Sequence, residues 1–557
     1  MSTSIRRRLA VAAAFLVVAT IASRVLGLAR EVVQISYLGL GWQMSAFTAA
    51  QKLPNLVRSL LADAALSAAL IPVFSGLLEK GKKKEAWQAA YTLSVSAVAV
   101  LGVVTALGMV FAPQLVSLLT PGFKHLDPAV AQKTIALAVS LTRVMFPQVI
   151  ILALAGIAMG ILNAYDRFSL PAMAPIVWNV VIILGLVVFS SIVGYKVGPG
   201  LGVKNSGFQV LAWATFAGTV AQLAIQVPAV WRRRWRGTGE RLKLNFRDPA
   251  LREMASILGP VMISLGIINF NAVIDTLFAS LLHDPGAVAY IDKAFRLFQL
   301  PQGVFAIAIG TVLFPALSRH ASSGRFAEFR EDLSLGMRQI LFLTLPFAAF
   351  FVVLGLPTVR LIYEHGSQVT PAQIASVASA LTFFSFGMAF VSVNTLLNRA
   401  FYSIRKSWLP LMVGVVNLAL NAVLDLALYR PLGVGGITLS TSLVSIFNFF
   451  VLLILLIPRV GGVDVRRVAW SAARSIMALV PLAGVAYGVW WGLDSLLGRA
   501  IWAQLVSVGM AYVAGGVAYC LMAWLMRMPE LGDVVGAIRR RREPRETDEV
   551  IESEGGG

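Results

Sequence analysis

The chain has 557 residues, of which 58% are hydrophobic and 13% charged, and its mean hydropathy is +0.78. A water-soluble protein of this length would not stay dispersed with so apolar a composition. A formal net charge of +20 would suggest nucleic acid as a partner of a soluble protein, but here membrane topology explains the basic residues, so no nucleic-acid partner is expected. The apolar residues form blocks of about 20, which can cross a ~30 Å hydrocarbon core as helices and lack the alternation of a β-barrel. We therefore predict an all-α integral membrane protein.

Hydropathy predicts about fourteen transmembrane helices. They begin near residues 9, 46, 88, 132, 170, 206, 253, 287, 335, 371, 408, 434, 469 and 500. Basic clusters, such as those within 6–8, 80–84, 232–236 and 539–542, fall on alternate connections. Because Lys and Arg accumulate on the cytoplasmic side, both termini are predicted to be cytoplasmic.

The two halves of the chain repeat. Residues 69–75 resemble residues 312–318, and Pro315 follows Pro72 by 243 positions (315 − 72). The pattern predicts two six-helix lobes in parallel repeat, followed by two extra C-terminal helices. The predicted organisation is an N-terminal lobe at 1–231, a cytoplasmic basic linker at 232–252, a C-terminal lobe at 253–457, two additional transmembrane helices at 458–530 and a charged disordered tail at 531–557.

Motifs of soluble enzymes are missing from the sequence. It has no P-loop, no H-E-x-x-H and no G-x-S-x-G, which argues against an NTP-driven pump and favours a transporter over an enzyme. A single cysteine excludes both a disulfide framework and a cysteine metal site. We expect this residue, Cys520, to be buried in the last span.

Ionisable residues inside apolar spans are the candidates for function, because each is costly unless it faces a partner or a water-filled cavity. In the first span Arg24 and Glu31 share one face, with Arg30 beside it, and the second span adds Arg58 and Asp63. One interpretation is a cationic wall lining the cavity. The alternative is that these arginines reach the interface and pair locally with Glu31 and Asp63.

The eighth span carries Asp292, Arg296 and Gln299 on one face, directly before Pro301. Asp292 could simply neutralise Arg296 one turn away. If Arg296 is only partly neutralised and faces the other arginines, the cavity suits a pyrophosphate, since a guanidinium engages phosphate oxygens bidentately.

A second group has the composition of a cation site. Its members lie at similar depth, a few residues from the outer end of three spans: Asp275, Asn421, Asp425 and Thr441. Two carboxylates with neutral oxygens suit Na⁺, and no other cofactor is expected. The alternative is a polar clamp that ties the helices together.

Four stretches carry a family resemblance: residues 23–31 (SRVLGLARE), 54–58 (PNLVR), 65–74 (ALSAALIPVF) and 300–305 (LPQGVF). They resemble the MurJ (MviN) family of lipid II flippases, and the likeness covers nearly the whole chain. It implies the MOP-superfamily, MATE-like fold. It also implies that the matching arginines, Arg24, Arg30, Arg58 and Arg296, are essential and that the four oxygen-bearing residues form the family's cation site.

The resemblance implies a multi-pass protein of the bacterial cytoplasmic (inner) membrane. Its expected function in cell-wall biogenesis is to flip the undecaprenyl-pyrophosphate-linked peptidoglycan precursor, lipid II, from the inner to the outer leaflet by alternating access. Its partners would be lipid II and membrane lipids, and we expect a monomer. The alternative is a related exporter of polysaccharide-lipid intermediates or drugs. Ser45, Asp63, Phe295 and Gln299 depart from the family pattern, so the cavity is expected to carry less negative charge than is typical of the family.

Overall fold

The computed structural model describes residues 3–61, 64–192, 205–237, 243–364 and 369–540. The first ten helices are α1 Thr3–Leu38, α2 Trp42–Leu61, α3 Ala64–Glu79, α4 Lys83–Val110, α5 Ala112–Leu119, α6 Pro128–Met145, α7 Gln148–Ala164, α8 Ser169–Ile192, α9 Asn205–Ala224 and α10 Val227–Gly237. The next ten are α11 Pro249–Ser280, α12 Ala287–Ser322, α13 Phe326–Val353, α14 Gly355–Tyr363, α15 Pro371–Ser385, α16 Met388–Ser403, α17 Trp408–Val460, α18 Val465–Leu497, α19 Ile501–Leu525 and α20 Pro529–Arg540.

Aspartates begin three of the helices. The carboxylates of Asp127, Asp248 and Asp464 accept hydrogen bonds of 2.9 to 3.0 Å from backbone N–H groups in the first turns of α6, α11 and α18. A carboxylate at this position satisfies a donor that the helix itself cannot pair. Polar loop residues therefore set where these apolar helices start.

Several helices are built to cross a membrane. Within the described ranges, nine helical stretches are long and apolar enough to span, two of them formed by α6 with α7 and by α9 with α10. The pair α15 and α16 passes the same test with a bend of 48°. Large apolar side chains such as Leu496 and Val312, which are 81% and 76% exposed, point outwards where lipid replaces water. The chain is therefore a multi-pass helical membrane protein, and the count of fourteen spans stays a prediction.

Helix α17 is too long for one crossing. Its 53 residues would extend ~80 Å at ~1.5 Å per residue, against a ~30 Å hydrocarbon core. Gly433 interrupts it with φ 57° and ψ −131°, a conformation that favours glycine because it has no Cβ. The interruption lies where the sequence predicts the connection between two spans, near Pro431.

The chain divides into two compact units. Unit 1 comprises 1–300, 362–383 and 411–444, and unit 2 comprises 301–361, 384–410 and 445–557. In unit 1, Phe74, Trp87 and Tyr165 form an aromatic group with ring centroids 5.7 to 6.4 Å apart. In unit 2, α18 and α19 pack together and contact α13.

Unit 1 contains a close approach of backbone at Gly122. Its N–H donates to Ser280 Oγ at 3.2 Å, and a Cβ built on Gly122 would lie 2.0 Å from the Ser280 carbonyl oxygen. We expect Gly122→Ala to destabilise the protein by about 1–3 kcal/mol, the usual cost of overpacking. The melting temperature in detergent checks this, with Gly76→Ala as control, since a Cβ there meets no atom within 4 Å. Equal melting temperatures of Gly122→Ala and Gly76→Ala would contradict the prediction.

Two predictions about the C-terminal region need correction. Residues 531–540, predicted to belong to a disordered tail, form most of α20, while 541–557 lie outside the described residues. Cys520 is exposed rather than buried. Its neighbour Tyr519 faces α13 and donates to the carbonyl oxygen of Phe342 at 2.9 Å, and a one-residue step on a helix turns the next side chain outwards.

Glu530 anchors α20 in unit 2. It is 1% exposed and accepts hydrogen bonds from Arg338 Nη1 at 2.9 Å and Ser471 Oγ at 2.8 Å. We expect Glu530→Gln to lower the free energy of unfolding by about 3–5 kcal/mol, because it leaves the buried Arg338 charge without its partner. Asp533→Asn, at an exposed position in the same helix, should have little effect in the same thermal melt. Equal stability of both variants would show that the ion pair does not hold α20.

Candidate functional site: a buried cationic cluster and a polar site

Glu31 lies at the centre of a cluster of charges in unit 1. It is 3% exposed, and its carboxylate pairs with Arg30 Nη2 at 2.5 Å and with the ammonium of Lys293. Arg296 Nε lies 3.9 Å from the same carboxylate. One acidic group on α1 therefore contacts three cations, two of them on α12.

Asp292 is the second acidic member of this cluster. Its carboxylate lies 3.6 Å from Arg296 Nε and 3.7 Å from Lys52 Nζ on α2. Four cations thus share two carboxylates and leave a formal net charge of +2. The pairing of Arg296 with Asp292, considered as an alternative from the sequence, does occur, but it does not neutralise the cluster.

Two of the predicted arginines, Arg24 and Arg30, have further contacts of their own. Arg24 Nη1 donates to the main-chain carbonyl of Gln299 at 3.5 Å, so the contact uses the backbone of Gln299 and not its amide. The Arg30 guanidinium lies 4.6 Å from the centroid of the Trp178 ring, which fixes it in a cation–π contact. Arg58 is half-buried on α2, the helix that also supplies Lys52. Asp63 lies outside the described residues.

Lys293 and Lys52 were missed by the analysis of the sequence. Lys293 is 2% exposed, and Tyr363 donates from its hydroxyl to the Lys293 carbonyl at 3.2 Å. The sequence did indicate Lys293, because a lysine inside an apolar span has the same free-energy cost of insertion into the membrane as the arginines. Lys52 could have been recognised for the same reason, because it lies inside the second predicted span, one helical turn before Asn55 and Leu56.

The predicted cation-site residues come together in unit 1. Asn421 Nδ2 donates to Asp275 Oδ1 at 2.8 Å and to Asp425 Oδ2 at 2.9 Å. Thr441 Oγ1 donates to Asp275 Oδ2 at 3.4 Å. Helix α11 supplies Asp275, and the two segments of α17 on either side of Gly433 supply the other three. The interruption of α17 therefore lets both segments reach one carboxylate.

The chemistry of this polar site fits a hard cation. Asn421 and Asp425 are fully buried, and Asp425 Oδ1 has no hydrogen-bond partner. Two adjacent buried carboxylates with one unsatisfied oxygen favour a bound cation or a shared proton. To coordinate a metal ion, Asn421 would turn its amide so that the oxygen faces the carboxylates, an exchange of O and N that leaves its shape unchanged. The hydrogen bonds present also satisfy the polar-clamp alternative.

Lys52 belongs to the cationic cluster through its ion pair with Asp292. We expect its positive charge to act on Asp275 in the polar site as well, because charge interactions extend beyond direct contact. A change of charge at one group would then be felt at the other.

Comparison with known proteins gives one consistent family. The family model described as "Lipid II flippase MurJ" matches residues 35–521. The "Probable lipid II flippase MurJ" of Synechocystis sp. is 28% identical over 543 residues, covering 95% of this chain and 97% of its own length.

Two solved structures share the fold. "Lipid II flippase MurJ, inward closed conformation" superposes with a TM-score of 0.72 at 21% identity, over 92% of this chain and 98% of its own. An inward-facing multidrug resistance MATE family transporter of the MOP superfamily superposes with a TM-score of 0.64 at 14% identity. The match covers 79% of this chain and 94% of the transporter. The chain is thus a helical membrane protein with a MurJ- and MATE-like fold, and by its match over most of its length it belongs to the lipid II flippase MurJ family.

Proposed function

We propose that this protein flips lipid II across the bacterial cytoplasmic membrane, from the inner to the outer leaflet, by alternating access. The observation that carries the proposal is the family match over residues 35–521 combined with a buried cationic cluster that keeps a net positive charge. In this proposal the two six-helix lobes of the sequence repeat move against each other, and both termini are cytoplasmic.

The guanidinium groups of the cluster suit the binding of a pyrophosphate. Arg30 is held by Glu31 and by Trp178, so its orientation is set before the substrate arrives. The Arg296 side chain is 36% exposed although its Nε is buried, and Arg24 and Arg58 are half-buried. A guanidinium fork binds phosphate oxygens through two parallel hydrogen bonds. We assign substrate binding to these four arginines, with Glu31, Asp63, Asp292 and Gln299 in support.

The polyprenyl tail would stay in the bilayer while the headgroup crosses, along a groove formed by the last two spans. The membrane potential would contribute about 2.3 kcal/mol per charge per 100 mV, and Na⁺ at Asp275, Asn421, Asp425 and Thr441 would bias the return step. The protein would act as a monomer.

The deciding experiment is translocation of labelled lipid II in proteoliposomes. We expect Arg24→Ala, Arg30→Ala, Arg58→Ala and Arg296→Ala each to abolish translocation at near-normal expression, with lysine restoring it only in part. Arg252→Ala, at an exposed position on α11, is the matched control and should translocate normally. Wild-type translocation by all four variants would refute the cationic site.

A related exporter of drugs or of polysaccharide-lipid intermediates is the second candidate, because MATE transporters share the fold. The net positive cluster argues against organic cations as substrates, since like charges repel. Efflux of a cationic dye by proteoliposomes that do not flip lipid II would favour this candidate.

A further inference from the structure

A pocket on unit 1, separate from the charged cluster, lies between α4, α7, α9 and α10. Its volume is about 240 Å³, and its walls are mostly apolar. The lining residues that matter here are Trp87, Tyr91, Ile157, Ala158, Trp231 and Arg234. An apolar pocket that carries one arginine has the composition of a site for a molecule with an apolar chain and an anionic group.

The ends of two apolar spans indicate that the pocket lies near a membrane boundary. One apolar span begins at Lys83 and another ends at Arg234, so each has one end close to the pocket. Trp87 is four residues inside the first of them, which is ~6 Å along a helix. Tyr91 and Trp231 are exposed at the mouth, as interfacial aromatic residues are, and the basic clusters predict this to be the cytoplasmic side.

Trp87, which lines the pocket, is held in place from behind by Tyr165. The Trp87 indole donates to the Tyr165 hydroxyl at 3.3 Å and stacks on the Tyr165 ring with centroids 6.4 Å apart. The Arg233 guanidinium covers that ring at 5.1 Å, and the Arg234 guanidinium lies 5.9 Å from the Trp231 centroid. The Trp87 wall is therefore backed by a second aromatic ring, and Arg234 lines the pocket beside Trp231.

We propose that this pocket binds one anionic glycerophospholipid of the cytoplasmic leaflet, with part of an acyl chain between α4 and α7 and the phosphate at Arg234. Charge complementarity selects this occupant, since basic pockets between transmembrane helices on the cytoplasmic side bind anionic headgroups. The small volume admits a segment of a single chain. The inference does not depend on which substrate the protein transports.

Native mass spectrometry of the purified full-length protein, mixed with phosphatidylglycerol and phosphatidylcholine of identical chains, tests the site. We expect one phosphatidylglycerol to be retained by the wild type in preference to phosphatidylcholine. Arg234→Gln should weaken that retention by about fivefold, which is the contribution to affinity of one basic residue near an anionic membrane surface. Arg232→Gln is the matched control, because Arg232 is exposed in the same run and does not line the pocket.

A second variant tests the apolar part without changing charge. Ala158→Phe fills the pocket and should abolish retention of phosphatidylglycerol, and Ala158→Leu provides a milder version if the phenylalanine variant does not fold. The proposal fails if Arg232→Gln and Arg234→Gln reduce retention equally, or if both Ala158 variants retain the lipid. It also fails if phosphatidylcholine is retained equally well, or if a polyprenyl phosphate displaces phosphatidylglycerol at equal concentration, since the occupant would then be another lipid.

Discussion

Replacing Glu31 by glutamine is expected to cause a large loss of stability and to stop transport. The buried carboxylate contacts Arg30, Lys293 and Arg296, and its neutral amide would leave Arg30 and Lys293 charged and uncompensated. Breaking a buried ion pair in this way costs about 3–5 kcal/mol. Thermal melts in detergent, together with lipid II translocation in proteoliposomes, measure the two effects separately.

The double variant Glu31→Gln with Lys293→Met separates structure from function. It removes one negative and one positive charge, so the cluster keeps its formal net charge and most of the stability should return. We expect translocation to stay impaired, because Glu31 also holds Arg30 at 2.5 Å. Glu85→Gln is the control, since Glu85 and Lys82 form an exposed pair at 3.1 Å that contributes little. Normal translocation by the stable double variant would mean that the pair has only a structural role.

The members of the polar site could be predicted from the sequence because their spacing and depth are local properties of each span. Asn421 and Asp425 are one helical turn apart, and the distance of each residue from its span end fixes its depth. The structure adds that Asn421 bridges both carboxylates, which requires α11 and α17 to pack at a specific rotation. The periodicity of the sequence does not specify the rotation at which α11 and α17 pack.

The cationic cluster was predicted less completely for the same reason. The arginines and their acidic neighbours were visible as costly charges in apolar spans, but Lys293 joins them through a contact between α1 and α12. The stacking of Arg30 on Trp178 likewise depends on how α8 packs against α1. Helix α20 was missed because its composition is polar, whereas its position is set by one buried carboxylate, Glu530.

Sodium is expected to stabilise the wild-type protein through the polar site. A ligand that binds only the folded state at 100 times its dissociation constant adds ~2.7 kcal/mol. Melting temperatures in NaCl should therefore exceed those in KCl at equal ionic strength. Asp425→Asn and Asp275→Asn should remove this difference, because one of the two negative charges that attract the cation is lost.

The polar-clamp alternative makes the opposite prediction for the same variants. An asparagine still hydrogen-bonds to Asn421 and Thr441, so a clamp would keep its stability and the wild type would show no preference for sodium. Thr276, buried on α11 next to Asp275 and bonded to its own helix at Ala272, offers the control Thr276→Val, which should keep the sodium response.

Lys52 gives the last test, because it pairs with Asp292 and its charge is expected to act on Asp275. Replacing it by methionine removes a positive charge near the polar site, so sodium should bind more tightly and the sodium-dependent rise in melting temperature should reach half its maximum at a lower concentration. The same change leaves Asp292 paired with Arg296, 3.6 Å away on the same helix. It also lowers the positive charge available to an anionic headgroup. Lys52→Met should therefore strengthen sodium binding while it slows lipid II translocation. An unchanged sodium titration would show that the two sites act independently.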